Sequence, residues 1–232
     1  MILYVVTDTV KSYRGSEGWF RTQKVLEKLS GDVCLTLHFK RMHPRLVRDL
    51  RPAAIVHSGG GTDYKDYDVL RFEPYRRAVV ESAVAQIGLC GGHQILATFF
   101  GSRIGPMRQL RPGEPDPAGY RLGHFKEWGV YSVRVLRRDP IFDGLGRHLR
   151  VQEYHYWEVK ALGPALKLLA GSRDCRVQAF VHRHRPIYGT QFHPEAPLAA
   201  YPDGFKLLRN FFRIAREHAR AAGPGRFGER EG

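Results

Sequence analysis

The sequence predicts an α/β domain: a mostly parallel central sheet flanked by helices, with a strand-rich second half. Three observations predict it. Short apolar, β-rich runs alternate with helical patterns through roughly the first hundred residues. Two of these runs lead into glycine clusters, Ser58-Gly59-Gly60-Gly61 and Gly88-Leu89-Cys90-Gly91-Gly92. Beyond a Pro- and Gly-rich stretch at 108–124, closely spaced strand-like runs replace the helical patterns.

Residues 2–6 read as a buried first strand. Residues 17–29 read as a helix with Trp19, Phe20, Val25, Leu26 and Leu29 at apolar positions. A strand is expected at 33–37, a short helix at 44–50, and a strand at 53–57 that ends in the Ser58–Gly61 run. A helix follows at 73–85, then the short apolar run 86–89. The stretch 108–124 reads as a loop or an insertion. Strands are expected at 130–136, 149–154, 166–170, 177–182 and 187–192, with a hairpin turn at 182–186. A final amphipathic helix at 203–219 places Phe205, Leu208, Phe211, Phe212 and Ala215 near one face. No internal repeat or linker is visible, so 1–220 reads as one domain. Residues 221–232 read as a mobile, Gly-rich tail.

Of 232 residues, 43% are hydrophobic and 12% aromatic, enough for a sizeable core. No stretch approaches the roughly 18 consecutive apolar residues of a membrane helix. The first residues lack the basic region and cleavage site of a signal peptide. Cys34, Cys90 and Cys175 show neither disulfide nor metal-ligand spacing, which points to free thiols in a reducing cytoplasm. No metal or cofactor is expected. The formal charge of +14 requires a nucleic-acid partner to be weighed. The basic residues, mostly arginine, are scattered: Arg76-Arg77, Arg137-Arg138, Arg183, Arg185, and Arg209, Arg213, Arg216 and Arg220 on the last helix. No aromatic–basic RNA-binding motif accompanies them, so nucleic acid is not the expected partner.

The strongest chemical signal surrounds Cys90. An apolar run leads into Gly88, and a helical pattern starts directly after Cys90. That is the pattern of a nucleophile elbow, a sharp strand-to-helix turn that exposes the nucleophile. Glycines suit the tight bend and the close approach of neighbouring chain. A cysteine at a helix N-terminus lies near unpaired N–H groups and the positive end of the dipole, which favours thiolate. Taken alone, a glycine-flanked cysteine is equally a buried structural thiol. A second signal lies in Gln191-Phe192-His193-Pro194-Glu195, after a strand run. His193 is placed to act as base, and Glu195 to orient its imidazole. A lone His-x-Glu is more often a solvated loop.

Together these residues resemble the class I glutamine amidotransferases. The family's Gly-x-Cys-x-Gly-x-Gln pattern is met by Gly88, Cys90, Gly92 and Gln94, and its His-Pro-Glu pattern by His193-Pro194-Glu195. Gly204, Leu207, Leu208, Asn210 and Phe211 resemble the family's closing helix, and the similarity runs from Ile2 to about Phe212. The resemblance implies a flavodoxin-like amidotransferase domain with Cys90 as nucleophile, His193 as its base and Glu195 as the orienting carboxylate. It implies that Cys90 attacks the glutamine carboxamide to give a γ-glutamyl thioester, which water hydrolyses. The backbone N–H groups of Gly60 and Gly91 are the implied oxyanion donors, although the family often carries proline where Gly61 stands. Gly59, Gln94, His155 and Tyr156 are the implied substrate-binding residues. In that last segment Tyr154 and Trp157 replace the family's usual serine and aspartate, which leaves the γ-glutamyl substrate open.

Three readings follow. One is a glutaminase component passing ammonia to a separate synthase chain, because no phosphate loop of the Gly-x4-Gly-Lys-Ser/Thr type occurs here. Its docking features would be the basic surface and the 108–124 loop. A second is a stand-alone γ-glutamyl hydrolase or peptidase with the same triad, which Tyr154 and Trp157 favour. The third is a non-catalytic binding module on this scaffold.

Overall fold

The computed structural model describes residues 1–116, 120–196 and 200–223. Eleven strands and six α-helices follow in chain order: β1 (Ile2–Val6), α1 (Val10–Gly15), α2 (Gly18–Ser30), β2 (Cys34–His38), α3 (Pro44–Leu50), β3 (Ala54–His57), α4 (Glu73–Glu81), β4 (Ala85–Leu89), α5 (Gly91–Phe99), β5 (Arg103–Pro106), β6 (Glu127–Val135), β7 (His148–His155), β8 (Trp157–Ala161), β9 (Leu166–Gly171), β10 (Ala179–His182), β11 (Ile187–Thr190) and α6 (Asp203–Ala222).

Nine strands form one sheet in the order β2-β1-β3-β4-β11-β10-β9-β6-β7. From β2 to β11 neighbours are parallel. From β11 to β7 they are antiparallel. The parallel strands are apolar at successive positions because both faces are covered. Ile2, Tyr4 and Val6 pack towards Leu26 of α2 and Leu208, Phe211 and Phe212 of α6. Leu3 and Val5 face the other way, onto Val47 of α3, Tyr75 and Val79 of α4, and Ile95 and Leu96 of α5.

Several boundaries differ from the sequence reading. Helix α4 stops at Glu81 instead of residue 85, because Ser82 is extended and its hydroxyl caps the Val84 N–H at 3.1 Å. Ala85 then joins β4. Strand β11 ends at Thr190, so His193 lies past the strand. Helix α6 runs to Ala222, three residues beyond its expected end, and takes in the first two residues read as tail. Beyond Gly223 that tail, 224–232, lies outside the described residues. Helix α1 and the two-stranded β5–β8 sheet have no counterpart in the sequence reading.

The ends of β1, β3, β4 and the segment after β11 converge at one edge, the carboxyl ends of parallel strands where open α/β sheets hold ligands. Two glycines make the convergence possible. A Cβ on Gly88 would stand 2.4 Å from the Gly92 carbonyl, and one on Gly92 would stand 2.4 Å from the His57 carbonyl oxygen. Both obstacles are backbone, which has no flexible end to move aside. Gly92→Ala is therefore expected to cost about 3 kcal/mol of stability, the upper part of the usual overpacking range. Urea denaturation checks this, and a loss below about 0.5 kcal/mol would show that β3 and the elbow are not in contact as described.

Candidate active site

Cys90 occupies the turn between β4 and α5 with φ 48° and ψ −104°, a left-handed conformation rare for a residue with a side chain. Its N–H donates to the Thr190 carbonyl at 2.8 Å, which ties the elbow to the end of β11. The thiol lies 4.0 Å from the Tyr154 carbonyl oxygen and 3.7 Å from the Gln191 amide nitrogen. Backbone strain of this kind is held by surrounding contacts, and here it aims a thiol at the cleft.

His193 is placed by backbone and side chain. Its N–H donates to Gln152 O at 2.9 Å, and its Nδ1 meets Glu195 Oε1 at 2.8 Å. With Nδ1–H directed to the carboxylate, Nε2 is the nitrogen left for the thiol. Gly59 lies between the two groups: a Cβ there would stand 3.2 Å from His193 Cε1 and 3.4 Å from Cys90 Cβ. Burial pulls the imidazole's pKa down, but the charges of Glu195 and Cys90 outweigh it and hold the net value well above the ordinary range. Burial pushes the Cys34 thiol up to about 12 and the Cys175 thiol well above the usual range.

Cys90, His193 and Glu195 line one cleft of about 420 Å³ together with Gly59 and Gly60. Asp8, just past β1, braces the loop they share. It accepts from the Gly61 N–H at 3.0 Å and from the Thr62 hydroxyl at 2.5 Å. The Gly61 N–H is therefore engaged. The N–H groups of Gly60 and Gly91 have no acceptor among the described residues. A Cβ on Gly91 would stand 3.0 Å from Gly60 N, so the two glycines adjoin. Unpaired N–H groups at a helix N-terminus form a site for developing negative charge.

The remaining expected residues lie behind the cleft wall. Gln94 is buried and its carboxamide is fully engaged: it donates to Trp157 O at 2.7 Å and Gln191 Oε1 at 3.0 Å, and accepts from the Tyr64 hydroxyl at 2.8 Å. It ties α5 to the start of β8. The Tyr156 hydroxyl donates to Asp63 at 2.7 Å. His155 sits in a closed polar cluster, with Nε2 2.9 Å from Glu127 and 3.2 Å from Glu153. Glu127, His155 and Cys175 are the one group among the described residues that brings metal-ligand atoms within 4.8 Å of one another. Those donors are already engaged or protonated: Glu127 also accepts from Ser172 and Gln178, and the Cys175 thiol keeps its proton.

Sequence reading missed much of the cleft's far wall: Trp19 and Thr22 of α2, Tyr120 of the 108–124 stretch and Trp128 of β6 line it, beside Tyr154 of β7, which the sequence already places in the substrate segment. Trp128 and Tyr154 pack edge to face with ring centres 4.9 Å apart. They are direct cross-strand partners, which only the β6–β7 register reveals.

Fold and cleft define an α/β enzyme with a cysteine at its nucleophile elbow. The family model for glutamine amidotransferase class-I matches residues 31–215. The glutamine-hydrolysing GMP synthase subunit of Pyrococcus abyssi is 35% identical over 171 residues, covering 74% of this chain and 80% of that protein. The aminodeoxychorismate synthase of Streptomyces griseus is 32% identical over 75% of this chain, which spans 21% of that longer protein. A solved structure described as a GMP synthase subunit from Thermoplasma acidophilum superposes with a TM-score of 0.74 at 25% identity, covering 95% of this chain and 98% of that one. The chain belongs to the class-I glutamine amidotransferase family, and it is an enzyme of that class. Among the described residues no helix is long and apolar enough to cross a membrane.

Proposed function

We propose that this chain hydrolyses the side-chain amide of glutamine to glutamate and ammonia, and hands the ammonia to a separate synthase chain. The observation that carries the reading is Cys90, in its left-handed elbow, sharing a cleft with an imidazole paired to Glu195.

The reading implies these steps. His193 Nε2 takes the thiol proton, and the thiolate attacks the carboxamide carbon. The N–H groups of Gly60 and Gly91 receive the oxyanion. The C–N bond breaks as His193 returns its proton to the departing nitrogen, leaving ammonia and a γ-glutamyl thioester. Water, deprotonated by His193, attacks the thioester, releasing glutamate and regenerating the thiol. Glu195 keeps Nε2 turned to the sulfur throughout and stabilises the imidazolium.

A separate ammonia acceptor is supported by the relatives named as glutamine-hydrolysing subunits of a synthase, and by a charge of +14 suited to an acidic partner surface. The three free cysteines suit a cytoplasmic setting. The test is a glutaminase assay combined with a chloroketone analogue of glutamine. Glutamate release and adduct mass on the Cys90 peptide are expected, while no adduct forms at Cys34 or Cys175. Adduct formation at another thiol, or none with any γ-glutamyl compound, overturns the reading. The aromatic wall of Trp19, Trp128 and Tyr154 favours a second one, hydrolysis of a bulkier γ-glutamyl compound. Turnover of γ-glutamyl peptides well above that of glutamine would establish it.

A further inference from the structure

A thiolate needs hydrogen-bond donors as well as a base to form it. His193 supplies the base, but its proton leaves with the departing nitrogen. A donor that keeps its proton through the whole cycle has to come from another side chain. The Tyr154 carbonyl oxygen, 4.0 Å from Cys90 Sγ, has no hydrogen to offer. The side chain of Gln191 does. It is fully buried, and its Nε2 lies 3.7 Å from the sulfur.

A carboxamide has a donor end and an acceptor end, and its neighbours decide which end faces where. The fixed point here is Trp157 O, which can only accept. Gln94 approaches it at 2.7 Å and must present its nitrogen. The Gln94 oxygen then accepts from the Tyr64 hydroxyl at 2.8 Å. The second hydrogen on the Gln94 nitrogen reaches Gln191 at 3.0 Å, so the Gln191 oxygen faces Gln94. The Gln191 nitrogen is left facing the sulfur. Turning Gln94 over would set its oxygen against Trp157 O. Turning Gln191 over would set its nitrogen against the Gln94 nitrogen. Backbone contacts hold the same segment in place. The Gln191 N–H donates to Gln178 O at 2.8 Å, and the preceding Thr190 carbonyl accepts the Cys90 N–H at 2.8 Å.

We infer that Gln191 is a catalytic residue that stabilises the Cys90 thiolate by donating its side-chain N–H to the sulfur, and that Gln94 is a positioning residue that keeps that N–H turned to it. A hydrogen bond to an ionised acceptor is roughly twice as strong as one to a neutral acceptor. The Gln191 contact therefore tightens when His193 takes the thiol proton. It slackens in the thioester, where the sulfur is neutral. It tightens again as the sulfur leaves the acyl carbon during hydrolysis. Stabilisation that appears only with the charge lowers both barriers without deepening the state between them. The effect on turnover rests on the proposed glutamine hydrolysis, whereas the thiolate itself can be read without any amide substrate.

The test is the pH profile of iodoacetamide alkylation, followed as adduct on the Cys90 peptide by mass spectrometry. Gln191→Met keeps the length of the side chain and removes the donor. It is expected to move the profile up by about one pH unit, a tenfold change in the thiol–thiolate balance and the lower end of a hydrogen bond to a charged group. Glutamine kcat should fall about tenfold with KM within twofold, because the charge on sulfur is affected and substrate binding is not. Gln94→Met acts at one remove. Trp157 O keeps His155 Nδ1 at 2.9 Å and the Tyr64 hydroxyl keeps Gly91 O at 3.1 Å, so that variant chiefly frees Gln191 to turn. A smaller move in the same direction is expected, and this variant carries the test should Gln191→Met fail to fold. A profile that superimposes on wild type, or alkylation slowed equally at every pH, means lost packing and overturns the inference. A shifted profile in a chain that hydrolyses no γ-glutamyl amide removes the proposed reaction and leaves the thiolate assignment standing.

Discussion

Cys90→Ala is expected to lower amide hydrolysis by about four to six orders of magnitude while leaving the fold intact, because removing a nucleophile removes the covalent route entirely. Stability should change by no more than about 1 kcal/mol. The thiol makes only long contacts, 4.0 Å to Tyr154 O and 3.7 Å to Gln191, and no buried polar group depends on it alone. Glu195→Gln probes the same unit from its other end. It keeps a hydrogen-bond acceptor near Nδ1 but removes the negative charge that holds His193 above the ordinary range. The imidazolium that must exist while Cys90 attacks is then less stable, and kcat should fall by about 10²- to 10⁴-fold. The two effects should not add. A double variant no slower than Cys90→Ala shows that thiol, imidazole and carboxylate act as one unit. Activity of Cys90→Ala within tenfold of wild type would put the chemistry elsewhere.

The grouping of Cys90, His193 and Glu195 in one cleft was legible because its signals are local. Glycines at 88, 91 and 92 encode a tight turn, and the periodicity change at Cys90 marks a strand ending where a helix starts. His193 and Glu195 are two residues apart, so their contact needs no knowledge of the fold. Helix α1 escaped notice because its six residues bury none of their side chains and so show no periodicity. Strands β5 and β8 escaped it because they are short, polar and mutually paired outside the main sheet; Pro106 and Lys160 are poor strand signals. The aromatic wall depends on cross-strand register and on how an irregular segment folds back, which no periodicity encodes. Gln94 shows the reverse case: a motif position that reads as substrate-facing is turned into the interior by Trp157 O and Gln191.

The cluster around His155 was invisible in the same way, and it carries the largest stability prediction. Glu127 is the direct cross-strand partner of His155, and Glu153 lies two residues before it on the same face of β7. All three side chains are buried, and neither Glu153 oxygen has a hydrogen-bond partner with good geometry among the described residues. Burial alone would lower the imidazole's pKa, but the two carboxylates outweigh it and push it up to about 10. Removing the imidazole leaves two buried carboxylates facing each other, so His155→Gln should cost about 3–5 kcal/mol near neutral pH. The sign of the pH dependence follows from the shift. Below about 6.5 both native and unfolded chains hold the proton, and the stabilisation is complete. Between there and about 10 the native chain keeps a proton that the unfolded chain has released, so stability declines by about 1.4 kcal/mol per pH unit. Denaturation curves at pH 7, 8 and 9 should therefore show wild type losing stability faster than His155→Gln, with the gap between them narrowing. Curves that stay parallel across that window would mean that His155 is neutral in the folded chain and that a carboxylic acid, not an imidazolium, carries the shared proton.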